Sequence, residues 1–421
     1  QSTGGILSTA EARRFGVRCI LSGPAGGIVG CQLLSAACEG QGLARKLITF
    51  DMGGTSTDVS VIDGAPLLTN EAAIGGLPIR LPVLDIHTIG SGGGSIAWVD
   101  AGGALRVGPQ SAGADPGPAC YGRCDPALEP ERVLPTVTDA NLLLGRLLPE
   151  YFLDGSLPLH PERAAWAIGR LGEKLGLDPI RTALGIVAVA DAHMERALRL
   201  VSVERGHDPR QFTLLSFGGA GGLHAASLAR RLGIPHVLVP PYASTLSALG
   251  MLAAQVEKDY TLTVMLPGTA GREEVDAAFR PLLGRAVEDL SAEGIPTADQ
   301  VLACALELRY AGQSYELPVA WPPSAEGLLA DFHAAYRQAY AYAHPGAPAE
   351  IVNLRVHAAG RRAPLAPPTF PPGGADPSPA RLGTRTVVLS GAHHQPTPAS
   401  LPCYRAELLC PGNTFSGPAL V

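Results

Sequence analysis

No apolar run in this chain approaches the roughly eighteen residues that a membrane-spanning helix needs. No signal-peptide pattern opens it. Lys and Arg are not clustered; they total 32 against 38 Asp and Glu, for a net charge of −6. Neither nucleic acid nor an anionic membrane surface is therefore expected as a partner. Charged residues are only 17% and hydrophobic residues 46% of 421 residues, which leaves room for a sizeable core and little disorder. That length predicts two or three domains. Eight cysteines are scattered with no CxxC pair, Cys120 and Cys124 being the nearest neighbours. In a chain this long such spacing predicts reduced thiols and a cytoplasmic setting, not a disulfide framework. No internal repeat is evident. The chain starts at Gln1 and stops in SGPALV, so it is expected to be a piece of a longer polypeptide.

What is present is organised around Leu47–Ile62, LITFDMGGTSTDVSVI. Leu47, Ile48 and Phe50 form one β-prone run; Val59, Val61 and Ile62 form a second. Between them lie Gly53 and Gly54, with Asp51, Asp58 and the hydroxyls of Thr55, Ser56 and Thr57 around them. An ordinary hairpin with a polar turn would account for the alternation. Two carboxylates and three hydroxyls exceed what a turn needs. Consecutive N–H groups in a glycine turn make an anion-binding concavity, and Asp51 at the strand end is placed to hold Mg²⁺ through water. Asp58 is the second candidate acid. A further strand–turn–helix follows at Gln211–Leu232, where GGAGG (Gly218–Gly222) is not GxGxxG and no acidic residue lies about twenty residues on. A dinucleotide Rossmann site is thereby disfavoured.

FDMGGTSTDVSVI resembles the second phosphate loop of the actin/Hsp70/sugar-kinase ATPase superfamily. SGPAGGIVG (Ser22–Gly30), HTIGSGGGSIAW (His87–Trp98), SAGADPGPACYG (Ser111–Gly122), FGGAGGLHA (Phe217–Ala225) and STLSALG (Ser244–Gly250) resemble, in order, the hydantoinase A/5-oxoprolinase family. Acetone and acetophenone carboxylase subunits are relatives of that family. The resemblance implies an α/β, actin-like ATPase (ribonuclease H-like) lobe with a mixed sheet flanked by helices. A C-terminal α+β module and a β-rich tail complete the expected fold, with boundaries at 1–255, 256–362 and 363–421.

The resemblance implies ATP and Mg as cofactors. Gly53, Gly54, Thr55 and Thr57 would meet the phosphates, and Gly218, Gly219, Ala220 and Gly221 the adenosine. Asp51 and Asp58 would be catalytic. The expected reaction opens a cyclic amide or imide (hydantoin, 5-oxoproline or a related lactam) by phosphorylating it, with a hydantoinase B-type partner subunit or domain. The alternatives are an ATP-dependent ketone carboxylase subunit, a regulatory ATPase like the chaperone relatives, and a nucleotide-binding assembly fragment with no activity alone. Only one DxGGT-type loop is found, so weak nucleotide binding and negligible hydrolysis are expected of these residues by themselves.

Elsewhere, VLDIHTI (Val83–Ile89) reads as one strand, on which Asp85 and His87 would share a face. They could hold a second divalent metal, with Asp115 or His224 as a third ligand, or form a structural pair. The glycines of SGPAGG either open an anion site at the start of helix Ile28–Cys38 or permit close packing. Arg18–Leu21 reads as a short strand, and SGGGS (Ser91–Ser95) as a loop that lets backbones approach. Gly75-Gly76 reads as a turn. Asp191 and Glu195, on the long helix Ile180–Glu204, read as solvated or interface residues. After residue 256 the pattern is helix, strand, strand, helix, strand; Pro364–Pro379 reads as a linker.

Overall fold

The computed structural model describes residues 1–37, 45–69, 72–74, 77–79, 83–324, 327–362, 365, 370–391 and 395–421. The expected Gly75-Gly76 turn, Cys38 and part of the proline-rich stretch lie outside the described residues. The chain divides into two compact units, Gly23–Leu252 with Leu365–Val421, and Gln1–Ser22 with Ala253–Pro364.

The larger unit is built on β1 (Lys46–Met52), β2 (Thr57–Asp63), β3 (Ala65–Pro66), β4 (His87–Ile89), β5 (Thr213–Phe217) and β6 (His236–Leu238). They form a mixed sheet in the order β6-β5-β1-β2-β3, with β4 also on β2. β1 is parallel to β5, with Asp51 opposite Phe217, and antiparallel to β2. The helices are α1 (Ser22–Ala37), α2 (Val137–Leu143), α3 (Pro161–Leu175), α4 (Pro179–Val201), α5 (Gly222–Leu232) and α6 (Leu246–Ala253).

Side chains alternate along a strand, so Ile48, Phe50 and Met52 enter one apolar layer, with Leu144 just past α2, Met194 and Leu198 of α4 and Leu228 of α5. Leu47 enters the other, with Leu215, Phe217, Ile28 of α1 and Leu246 of α6. Each such fully buried side chain contributes roughly 1.5–3 kcal/mol. A strand buried on both faces reads as a near-continuous apolar run, as LITF does. Asp51 lies on the α6 side, where the Ser247 hydroxyl donates to its Oδ2 at 3.3 Å.

Three local expectations change. Gly16–Cys19 is a 3-10 turn, and Leu21 stands at φ 63°, so RCIL is no strand; short apolar runs do not define their own geometry. VLDIHTI is broken into Val83–Leu84 and β4, because Val83–Leu84 pairs with Leu68–Thr69 while β4 pairs with β2. Asp85 and Ile86 are the joint between two partners. The SGPAGG segment lies within α1: a Cβ would meet Met251 at Gly26 and Phe217 at Gly27, and Leu246 at Gly30 one turn on, whereas Gly23 is open; it is Gly26, Gly27 and Gly30 that face neighbours. They permit close packing.

The smaller unit is a four-stranded antiparallel sheet of β7 (Val256–Pro267), β8 (Gln300–Tyr310), β9 (Leu317–Trp321) and β10 (Ala349–Gly360), in the order β7-β10-β8-β9. Helices α7 (Arg272–Ala292) and α8 (Leu328–Tyr340) supply Phe279, Leu290, Phe332 and Tyr336 to its core. β7 escaped sequence reading because its charges hide the alternation. Val256, Lys258 and Tyr260 face inward, and Lys258 is neutralised by Glu293 at 2.9 Å. In the tail, β11 (Arg381–Ser390) and β12 (Pro396–Tyr404) form a hairpin. It is tied to the larger unit by Val388 N–H donating to Leu144 C=O.

Candidate nucleotide site

Three glycine-rich segments converge at the ends of β1 and β5. The first is the β1–β2 turn. Gly53 N–H closes it on Ser56 C=O at 3.1 Å, leaving Gly54 and Thr55 exposed at the tip. The second is SGGGS. Gly93 N–H donates to Gly53 C=O at 2.9 Å and Gly94 N–H to Gly54 C=O at 2.6 Å. A Cβ on Gly92 would stand 2.6 Å from Gly54 C and Thr55 N, so the approach of these two backbones excludes any side chain there. Thr57 is buried and its hydroxyl donates to Ser91 C=O; it holds this loop rather than facing outward.

The third is Gly218–Gly222. Gly218 has φ +79°, and a Cβ there would lie 2.4 Å from both Asp51 Oδ1 and Met52 O. Ala220 N–H donates to Met52 C=O at 3.0 Å. Gly221 is buried against Phe217 C=O, whereas Gly219 is exposed. The sequence-predicted phosphate and adenosine elements are therefore brought side by side.

Asp51 and Asp58 are register partners across β1 and β2. Burial, then the neighbouring Asp58 charge, raises the Asp51 carboxyl to about 6. Burial likewise raises Asp58, opposed by the Thr88 hydroxyl bonded to Oδ1. Two partly desolvated carboxylates, each costly to ionise, make a donor set that fits a hard divalent cation.

The Ser111–Gly122 loop borders the turn. Ser111 Oγ is 3.4 Å from Thr55 Oγ1, and Ala112 N–H donates to Gly94 C=O. The loop's far end is held by Asp139, fully buried in the first turn of α2. It accepts from Ala119 N–H, Cys120 N–H, Thr136 N–H and the Thr136 hydroxyl. Thr136 and Asp139 are also the capping box of α2. At the same helix start, Thr138 N–H and Oγ1 both donate to Gly93 C=O at 2.8 Å.

The other proposed metal ligands are engaged separately. Asp85 is ion-paired to Arg205, and Asp115 to Arg132 at 3.4 Å. His224 is bonded to Asp191 at 2.6 Å. His87 lies on β4 opposite Val59. Among the described residues no group of three or more His, Cys, Asp or Glu is placed to hold a metal ion. Asp191 is 4% exposed, so it is a buried residue and not a solvated one. The sequence carried the signal: Val187, Asp191, Met194 and Leu198 recur on one buried stripe of α4. Glu195 sits beside it, paired to Arg199 and Arg231.

A mixed sheet flanked by helices, with this hairpin and turn at adjacent strand ends, defines an actin-like ATPase lobe. The chain belongs to the hydantoinase/oxoprolinase family: residues 1–260 match the family model "Hydantoinase/oxoprolinase" and 268–421 its C-terminal domain. It is 36% identical to the caprolactamase subunit alpha of Pseudomonas jessenii over 84% of this chain and 51% of the relative. The crystal structure of the ATP-dependent caprolactamase from the same organism aligns with TM-score 0.71 and 32% identity, covering 94% of this chain and 57% of that one. A nucleotide-free acetone carboxylase structure, from work on ATP-dependent acetone carboxylation, aligns with TM-score 0.82 and 27% identity, covering 99% of this chain and 59% of that one. The chain thus spans a little over half the length of these relatives. No described helix is long and apolar enough to cross a membrane.

Proposed function

We propose that this lobe holds Mg-ATP for the phosphorylation and opening of a cyclic amide, as part of a larger assembly. The observation that carries the reading is the convergence of the Gly53–Thr55 turn, the Gly92–Gly94 loop and the Gly218–Gly221 turn around Asp51. Gly54 and Thr55, at the exposed tip, would meet the phosphates. Gly219 and its neighbours would lie along the adenosine. Asp51, with Asp58, would hold Mg²⁺ through water, and that ion would supply charge neutralisation on the transferring phosphoryl group.

The chemistry needs activation because an amide carbon is a poor electrophile. The amide oxygen attacks the γ-phosphorus and ADP leaves. Water then adds to the activated carbon and the C–N bond breaks, leaving the free amine and an acyl phosphate; a second water hydrolyses the acyl phosphate to the ring-opened acid and phosphate. An actin-like ATPase closes two lobes on its nucleotide, and one phosphate loop is found in this sequence. Turnover is therefore assigned to the assembly with its companion lobe and a hydantoinase B-type partner; a relative named as a subunit supports this.

A second reading, ketone carboxylation, is favoured by the TM-score of 0.82 with acetone carboxylase. Incubating the assembly with Mg-ATP and, separately, hydantoin, 5-oxoproline, caprolactam, or acetone with bicarbonate separates the two. Ring-opened acid with stoichiometric ADP supports the first reading; a β-keto acid with no ring opening replaces it with the second.

A further inference from the structure

Between α2, α4 and α5 lies a buried polar cluster that the phosphate site does not use. Asp191 of α4 bonds twice to α5: Oδ1 to His224 Nδ1 at 2.6 Å, and Oδ2 to the Ser227 hydroxyl at 2.8 Å. The His224 side chain is 0% exposed. Its Nε2 is 3.5 Å from Asn141 Nδ2 on α2, and Asn141 Oδ1 accepts from Arg146 at 3.4 Å. Donation from Nδ1–H to Asp191 leaves Nε2 as the acceptor for Asn141, which fixes one tautomer.

A buried carboxylate is costly unless it is fully bonded, and an apolar pair of the same shape would hold the helices together as well. Directional bonds add something else. His224 and Ser227 are i and i+3 on α5, so two bonds to one carboxylate fix the rotation and axial position of that helix. Apolar contacts alone would let it turn or slide. The first turn of α5 is continuous with the Gly218–Gly221 turn, and both His224 and Ala225 N–H donate to Gly221 C=O. Any rotation of α5 therefore moves the turn against β1.

We infer that His224 is a positioning residue for the nucleotide: clamped by Asp191, it sets the α5 start so that the Gly218–Gly221 turn fits the adenosine. This rests on the proposed assignment of that turn to adenosine. It predicts a loss specific to the nucleoside part of the ligand, with the phosphate hairpin unaffected.

The test titrates Mg-ATP and Mg-tripolyphosphate into the 421-residue chain by ligand-observed NMR, which reads millimolar affinities. In His224→Ala the affinity for ATP should fall at least tenfold, while that for tripolyphosphate stays within twofold. His224→Asn, which returns a donor near the Nδ1 position, should restore ATP affinity to within threefold of wild type. Asp191→Leu with His224→Phe, an apolar replacement, should keep the wild-type melting temperature and still lose the ATP preference. Unchanged ATP affinity in His224→Ala overturns the inference, as does an equal loss of both ligands or no rescue by Asn. A wild-type chain that binds ATP no better than tripolyphosphate overturns the adenosine assignment and the inference with it. Loss confined to the variants leaves that assignment standing.

Discussion

Asp51 and Asp58 stand opposite each other across the β1–β2 ladder, so the two acids flanking the glycine turn share one face of the hairpin. Like charges directly opposite in a sheet are destabilising. Their pairing makes sense where a cation sits between protein and ligand, and its cost is measurable without one.

Asp51→Asn should therefore stabilise the metal-free chain by about 3 kcal/mol at pH 8, since the carboxyl rises from 3.8 to about 6 and one pKa unit corresponds to about 1.4 kcal/mol. The folded-state pKa of about 6 lies above the ordinary carboxyl value of 3.8. A raised carboxyl binds more protons folded than unfolded, so its contribution is present below the unfolded pKa and is lost as pH rises through about 6. The wild-type minus Asp51→Asn difference in denaturant stability should thus fall between pH 4 and 6 and flatten above. Stabilisation by Mg-ATP should run oppositely, growing as Asp51 deprotonates, and be lost in the variant. A flat difference from pH 4 to 8 would remove Asp51 from the site's electrostatics.

Gly53→Val should leave the fold intact. A Cβ at Gly53 meets nothing within 4 Å, and its φ is not in the left-handed region. The backbone there suits any residue, so the effect of the side chain is obstruction of an incoming phosphate. Expected is an unchanged unfolding midpoint with at least tenfold weaker Mg-tripolyphosphate binding. Equal affinity in the mutant would sink the phosphate-turn reading.

Gly218→Ala should behave differently. The left-handed backbone costs about 1–2 kcal/mol with a side chain, and the clash with Asp51 and Met52 adds a similar amount. A loss of about 3 kcal/mol in urea unfolding is expected, together with loss of ATP binding. Full stability in this variant would mean that the turn relaxes freely.

Asp139→Ala removes the acceptor for three buried backbone N–H groups and breaks the capping box. Each unsatisfied group costs about 1–3 kcal/mol, less what water recovers. About 4 kcal/mol is expected, with faster amide hydrogen exchange at Ala119 and Cys120. Exchange rates that stay at the wild-type level would show that the Ser111–Gly122 loop is held by other contacts.

Much of this site was legible along the chain. LITF and VSVI marked two strands because a strand buried on both faces must be apolar throughout. Glycines with flanking acids marked a turn built for a ligand. The limits of α3 at Pro161 and Leu175 are also local, with a proline at its start and Gly176 after its end. Other features depend on partners remote in sequence. VLDIHTI broke at Asp85 because its two ends pair with different strands, which no local pattern encodes. SGGGS could be read as a backbone-approach loop, yet only pairing in space put it against Gly53 and Gly54. Asp191 looked like a surface charge on an amphipathic helix. It is buried because His224 and Ser227, more than thirty positions away, supply the bonds that make its burial affordable. Propensity and periodicity act over a few residues, and so they settle elements. Desolvation is decided by whatever the fold packs against a group, and so the charge states and clamps of the site belong to the assembled structure.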